Sequence, residues 1–341
     1  MEPLVTRCDN EQEWNSYVRS HEYGSPFHLT NWRDAIENAF GHKSIYLEAR
    51  KDGKISGILP LIHVRSILFG NILSSVAFAA YGGILADDRD TFEVLVREAK
   101  KISKEYNTDY VDLKFLSNPC CDLPSTDIYV TFIKELSADN DANLKAIPRK
   151  QRAMVRKGIK SGLKSIVSKD RLDDFYGIFA VNVHRLGTPV YSKKWFKALL
   201  DAYGDEAEIL VVEYEGKVIS GVMSFYYGDT VLPYYAASLI EYRKFAPNDF
   251  QYWDLMKRAV DRGCRYFDYG RSKKGTGQYS FKKHWGFEPK QLHYRYILNK
   301  ISDVPNINPL NPKYKRKIEV WRKLPLAVTK ILGPYIVKNI P

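Results

Sequence analysis

The 341-residue chain has little of what builds disulfide or metal scaffolds. Its four cysteines are Cys8, Cys120, Cys121 and Cys264. They match neither a disulfide framework nor a zinc set, and the adjacent pair cannot easily bridge to itself, so a reducing compartment fits best. His21 and His28, or His284 and His293, are neither spaced nor accompanied like zinc ligands, so no metal is expected. A GxSxG elbow and a Walker loop are both missing, and KKGTGQ has too few glycines in the wrong order for either phosphate fingerprint. Nucleotide-triphosphate hydrolysis is therefore not expected. The opening MEPLVTRCDNEQEW is acidic and lacks the basic-then-apolar order of an export signal, so the expected location is the cytoplasm, with peripheral attachment to the membrane face left open. The most apolar window, residues 68–86, is uncharged but carries three glycines, an asparagine and two serines. It reads as buried strands and turns near a site rather than a bilayer crossing.

What is present points to two domains and an anionic partner. The length exceeds one small core, and 45% apolar residues supply two. Tyrosine, phenylalanine and tryptophan are abundant enough to line clefts as well as cores. A formal charge of +12 favours nucleic acid, a phosphorylated precursor or an anionic bilayer face.

Along the chain, 4–7 reads as a strand and 11–20 as a helix. Thr30 or Asn31 is then placed to cap a helix bearing Trp32 and Ile36 on one face. Strands 44–49 and 55–64 flank Lys51-Asp52-Gly53-Lys54 as a hairpin. A second hairpin of the same grammar, 209–214 and 218–227 around Glu215-Gly216-Lys217, follows about 160 residues later. Aligned at the turn glycines, the copies differ by one residue before Ser56-Gly57 and Ser220-Gly221, which predicts two related α/β units, each a mixed or antiparallel sheet with helices. The first unit adds a helix at 91–106 and strands at 110–115 and 129–134. Its boundary is set at 1–143, with the second domain at 144–300. The second opens on the basic segment IPRKQRAMVRKGIKSGLK, helical from Pro148. Helices at 172–184 and from Lys193, a strand at 231–237 and a helix headed by Asn248, with Gln251 in capping-box spacing, complete it. Residues 301–341 form an extension that can dock on a membrane surface or pack on the body. Pro325 and Pro334 favour packing by interrupting any long amphipathic helix.

The chemistry converges on residues 265–287, RYFDYGRSKKGTGQYSFKKHWGF, read as a strand tip feeding a cationic loop beneath aromatic walls. With no metal pattern, acyl transfer to an amine fits best. An activated ester or thioester needs alignment, a base and donors facing the developing oxyanion. Asp268 at the strand end is a candidate proton acceptor or amine-orienting group, or a cap of the following turn. Arg271 can clamp phosphate and Lys282 offers a mobile charge. Tyr234, Tyr235 and Tyr279 are cleft candidates, and His184 and Arg185 end a helix before a glycine-proline turn. Arg149, Arg152 and Arg156, with the neighbouring lysines, form a broad cationic shelf for a transfer RNA arm, a sugar diphosphate or a lipid phosphate. The same shelf supports the alternative of a noncatalytic nucleic-acid or polyanion-binding protein, with RNA favoured over DNA.

These strings, together with SPFHLTNW, the YGG of 81–83, HRLGTPVYSKKWF and NPLNPKY, resemble the FemAB family of peptidoglycan interpeptide-bridge aminoacyltransferases, and within it the proteins associated with exosortase/PEP-CTERM and exopolysaccharide loci. The resemblance covers essentially the whole chain. It implies two tandem GNAT-like acyltransferase domains and no permanently bound cofactor. The implied co-substrate is an activated donor (aminoacyl-tRNA, acyl-CoA or acyl-carrier protein), and the acceptor a phosphate-bearing glycan or lipid-linked precursor. The family's GxxxFKxxFG region matches Gly277 to Gly286, so the likeness gives Lys282, not Lys283, the lysine role at the transition state or substrate phosphate. Trp285 stands where a phenylalanine is usual and lines the pocket wall. Two departures leave the donor open: the long coiled-coil insertion of transfer-RNA-using relatives is absent, and RSKKGTG is not a clean RxxGxG/A pyrophosphate loop.

Overall fold

Two hairpins with the same turn and the same bulge organise the two halves of the chain. The structure, a computed structural model, describes residues 2–67, 69–305 and 312–340; Leu68 and most of the Pro/Asn-rich stretch lie outside the described residues. One unit runs β1 (Leu4–Arg7), α1 (Glu11–Ser20), α2 (Thr30–Phe40), β2 (Lys43–Lys51), β3 (Lys54–Ser66), β4 (Gly70–Ser75), β5 (Leu85–Ala86), α3 (Arg89–Glu105), β6 (Tyr110–Phe115) and β7 (Ser125–Thr126). The other begins with β8 (Tyr129–Glu135), α4 (Asn140–Ala146), α5 (Arg149–Lys160), β9 (Lys164–Val167), α6 (Leu172–Leu186) and α7 (Lys193–Tyr203). It continues through β10 (Ala207–Tyr214), β11 (Lys217–Tyr227), β12 (Thr230–Ser238), α8 (Pro247–Asp261), β13 (Tyr266–Asp268), β14 (Ser272–Lys273), α9 (Gly277–His284) and β15 (Pro289–Gln291). The chain then returns β16 (His293–Leu298) to the first unit and closes with α10 (Pro312–Lys323) and α11 (Leu326–Val337) in the second.

The strand orders are β1-β2-β3-β4-β6-β16-β7 and β14-β8-β13-β12-β11-β10-β9, so the two sheets share one topology. Each is mixed and largely antiparallel, with a parallel contact at β4 beside β6 in one and at β12 beside β13 in the other. They are tandem GNAT-like α/β domains. The strand at 129–134, expected in the first unit, instead pairs with β13 of the second, while β16 fills the corresponding place beside β6. The first sheet thus takes its sixth strand from beyond the second unit, and the second sheet takes its own from the segment that leads into it.

The hairpin turns explain why the repeat is legible. Asp52 and Gly53 have φ of 49° and 78°, and Glu215 and Gly216 have 51° and 77°. Positive φ at both central residues is the two-residue turn whose twist matches paired strands, and glycine at the second position adopts it without a Cβ clash. Both hairpins slip register just beyond the turn, between Ala49 and Arg50 and between Val212 and Glu213. The resulting partners are Ala49 with Gly57 and Val212 with Ser220. By turn and bulge, therefore, Gly57 matches Ser220 with no inserted residue, and the two Ser-Gly pairs are one position out of phase. Because side chains alternate along a strand, Gly57 and Gly221 face opposite sides of their sheets. Gly57 lies against α3, where a Cβ would stand 2.5 Å from Thr91 Cγ2 and 3.0 Å from the Leu85 carbonyl oxygen. Gly57→Ala should therefore cost about 1–3 kcal/mol through overpacking. Urea denaturation of the variant checks this, and an unchanged midpoint refutes it.

Helix starts differ from expectation at two places. Leu29, not Thr30 or Asn31, precedes α2, and Thr30 Oγ1 accepts from Asn15 Nδ2 at 2.9 Å. α8 begins at Pro247 after Ala246 in the left-handed region; Gln251 Oε1 accepts from the Ser220 hydroxyl instead of completing a capping box. Proline at the first helical position has no N–H of its own to satisfy, and its fixed φ suits the start of a helix. The core of the second unit gathers Phe132, Val212, Val222, Val231, Trp253, Phe267, Trp285 and Phe287, so α8 and the end of α9 are fixed on the sheet by aromatic burial.

Candidate active site

β12 and β13 pair only at Thr230 with Tyr266 and Val231 with Phe267. Beyond that point β12 continues along β11 to Ser238, whereas β13 ends at Asp268 against Ile133 of β8. The second sheet consequently opens between the two strands. The equivalent seam in the first unit is closed: β4 and β6 pair from Ile72–Tyr110 to Ser75–Leu113. There Lys114 Nζ donates to Ser74 Oγ at 3.0 Å and the Val76 carbonyl at 3.2 Å, with Asp112 3.5 Å away.

At the mouth of the second seam the chain turns on Asp268. Its Oδ1 accepts from Thr131 Oγ1 at 2.7 Å and from the Gly270 N–H at 2.9 Å, a carboxylate closing a local turn that Gly270, at φ 74°, permits. Thr276 then caps α9, accepting from the Tyr279 N–H at 3.4 Å and donating to the Lys273 carbonyl at 2.8 Å. The stretch expected as an open cationic loop therefore contains a helix. α9 carries Lys282 back over the turn, where Nζ donates to the carbonyls of Gly270 at 2.7 Å and Arg271 at 3.2 Å. The ammonium lies 5.7 Å from the ring centroids of both Phe132 and Tyr269. Only 8% of Lys282 is exposed. Burial pushes its pKa down to about 7; the Asp268 carboxylate opposes this and the Arg271 guanidinium adds to it. Lys283, one position on, is exposed.

Apart from the α5 arginines, the other expected residues fall into four places. Tyr279 sits edge-on to Phe132 at 5.5 Å beside Lys282, and Arg271 is exposed at the mouth. Tyr235 packs among Tyr191, Phe196 and Tyr234, its hydroxyl accepting from Trp195 Nε1 at 3.0 Å. The Arg271 charge favours the ionised forms of both Tyr191 and Tyr235, against a larger opposing effect of burial, so Arg271 faces this aromatic wall. Trp285 is fully buried and donates to Asp249 Oδ1 at 3.1 Å, anchoring α9 to α8. His184 Nδ1 meets Thr329 Oγ1 of α11 at 3.2 Å and Arg185 donates to Asn182, so the contacts of this pair lie with α11 and within α6.

Arg149, Arg152, Arg156, Lys157 and Lys160 line one groove of about 510 Å³ on α5, while Val155 and Gly158 face inward. Spacings of three and four residues put these cations on one helix side, a narrower arrangement than a broad shelf; Lys164 lies on β9. None of the five pairs with a carboxylate among the described residues. The start of α5 lies close to the turn after α9, since a Cβ at Gly286 would stand 3.1 Å from Pro148 Cδ. Among the described residues no group of three or more His, Cys, Asp or Glu side chains could hold a metal ion. Residues missed by sequence reasoning are Thr131, Tyr191 and Tyr269. Only Tyr269 had a signal, its place between Asp268 and Gly270.

Residues 147–283 match the Acetyltransferase (GNAT) domain family. The chain is 21% identical to the Lipid II:glycine glycyltransferase of Staphylococcus epidermidis over 92% of its own length and 97% of that protein. In fold it is similar to FemX, with a TM-score of 0.70 at 16% identity over 92% of this chain and 99% of that one. It is also similar to a tandem GNAT protein from the clavulanic acid biosynthesis pathway, with a TM-score of 0.58 at 11% identity over 89% of this chain and all of the other. Likeness in sequence to the glycyltransferase thus runs along nearly the whole chain, and the fold is the one shared with FemX and the tandem GNAT protein.

Proposed function

We propose that the protein transfers an aminoacyl or acyl group from an activated carrier to an amine on a phosphate-bearing cell-envelope precursor. The observation that carries this reading is the opened β12–β13 seam with the buried Lys282 ammonium at its mouth. The acceptor amine bonds the donor's carbonyl carbon, the carbonyl oxygen gathers negative charge, and the bond to the carrier's oxygen or sulfur then breaks, that leaving atom taking up the proton that the amine gives up. Two of the three Lys282 N–H donors are committed to backbone carbonyls, which aims the third. A fixed cation in a water-poor site stabilises an oxyanion without reorganising. Asp268 holds the turn that sets this geometry and helps keep Lys282 protonated. Arg271, Tyr279 and Tyr235 line the entry, and Arg149, Arg152 and Arg156 hold the phosphate-bearing part of donor or acceptor. A relative that is a Lipid II:glycine glycyltransferase supports a lipid-linked acceptor. An exopolysaccharide precursor, suggested by the exosortase-associated resemblance, is a narrower form of the same proposal.

The direct test supplies glycyl-tRNA or acetyl-coenzyme A in turn with lipid II and follows amide formation by mass spectrometry. A product with either donor supports the reading; carrier hydrolysis without amide formation, in every pairing, refutes it. Replacing Arg149, Arg152 and Arg156 together by glutamine should raise KM for the phosphate-bearing substrate about tenfold while kcat stays within about twofold, because these contacts are the same in ground and transition states. Steady-state kinetics distinguishes this from a loss in kcat, which would place the arginines in the chemistry.

A further inference from the structure

α11 is apolar on both sides. Thr329, Gly333 and Val337, four residues apart, are buried, and Gly333 packs so closely on Val190 that a Cβ would stand 2.6 Å from its backbone nitrogen. The side turned away from them carries Ala327, Ile331, Leu332 and Tyr335, with Ile331 66% and Tyr335 67% exposed. A helix on a water-facing surface normally puts polar residues there, and an apolar face belongs in a core or against lipid. The helix before it supplies the matching charge. On α10, Lys315, Arg316, Lys317, Arg322 and Lys323 are exposed with a single carboxylate, Glu319, among them, and Val320 is 61% exposed. Pro334 lies inside α11, and among the described residues no helix is long and apolar enough to cross a membrane.

We propose that α10 and α11 form a membrane-surface docking element: the Ile331–Leu332–Tyr335 face enters the headgroup boundary of an anionic bilayer while the α10 cations meet lipid phosphates. Apolar insertion beside a basic cluster is the combination that holds a helix in the plane of an interface. His184 and Arg322 fasten the element to α6, through Thr329 and through the Leu186 carbonyl, which accepts from Arg322 at 3.0 Å. The element therefore rides on a folded domain rather than trailing from it. The inference stands on these helices and does not depend on the acyl-transfer reading.

The test is flotation of the full chain with phosphatidylglycerol/phosphatidylcholine vesicles and with phosphatidylcholine vesicles alone. Binding is expected to the anionic vesicles, weakening as salt rises from 50 to about 300 mM, because the cationic contribution is screened over about a Debye length. Ile331→Ser, Leu332→Ser and Tyr335→Ser combined should lower partitioning at least about tenfold, with circular dichroism and thermal melting unchanged. A soluble wild-type chain at low salt overturns the proposal, as does a triple variant that floats like wild type. So does a wild-type dimer that the triple variant converts to monomer, since a second copy would then cover the face. Should the triple variant misfold, Lys315→Glu with Lys323→Glu provides the second arm: loss of flotation supports the proposal, and retention overturns it.

Discussion

Lys282→Met should lower acyl transfer about 10²–10³-fold, the loss usual when one donor facing a developing oxyanion is removed. The same change should flatten the pH dependence of stability. Lys282 is buried, and its pKa in the folded protein is pushed down to about 7, whereas an unfolded lysine titrates near 10.4. Between those values the unfolded chain binds more protons than the folded one, so wild-type stability rises with pH across that window. Below about pH 7 the cost of the buried charge is present in full. Methionine keeps the unbranched chain as far as the ε carbon and carries no proton, so the variant should gain most on wild type at pH 6 and least at pH 10. Paired measurements of rate and of urea midpoint across that range check both halves. Full activity would remove Lys282 from the chemistry; parallel stability curves would show that its charge is not the buried burden inferred from its surroundings.

Much of the fold is visible in the sequence because the informative features are local. Asp52-Gly53 and Glu215-Gly216 announce two-residue turns, and the apolar runs beside them are long enough to be strands. The exchange of β8 and β16 is not local. Both are short apolar alternations, and nothing in such a run names the neighbour it will pair with. A second copy of the repeat was nevertheless available: Tyr110-Val111-Asp112 and Tyr266-Phe267-Asp268 occupy matching positions in β6 and β13, the parallel contact running on to Leu113 in the first and stopping at Phe267 in the second. Aligned with the hairpins, it marks the seam in both units. It does not say which seam opens, because that depends on how many positions each strand pair holds.

The site divides in the same way. Residues 265–287 stand out for glycine and charge, and the string offers Lys282 only as a mobile charge; its role at the transition state, and its choice over Lys283, come from family likeness. The glycines that suggested a loop do different work: Gly270 permits the turn on Asp268, and Gly277 opens α9 after the Thr276 cap. Thr131 and Tyr191 had no local mark, since their roles come from β8 crossing into the second sheet and from the approach of the residues before α7. Trp285 and His184 look like contact residues in sequence, yet the indole hydrogen-bonds to Asp249 and the imidazole to Thr329. Polar tips on buried rings need partners whether or not a substrate is near.

Asp268→Asn should separate two roles for the carboxylate. Asparagine can keep a carbonyl oxygen where Oδ1 accepts from Thr131 and Gly270, so the turn survives while the charge is lost. Asp268 favours the protonated form of Lys282, so its neutralisation lets burial and Arg271 lower that pKa further. If the ammonium is the acting form, kcat/KM falls as pH rises through the Lys282 pKa, and the variant's falling limb moves to lower pH. A shift of one unit makes the loss about tenfold above the limb and small below it. The acceptor amine adds a rising limb that is the same in both proteins, so the displacement is read from their ratio. Were Asp268 the base that takes the amine proton, the ratio would be low at every pH, with no displacement, because the missing group could not be restored by acid. Asp268→Ala removes the acceptor for Thr131 and Gly270 as well. It should add a loss in stability of about 1–3 kcal/mol for the unsatisfied buried donors, which Asp268→Asn does not share.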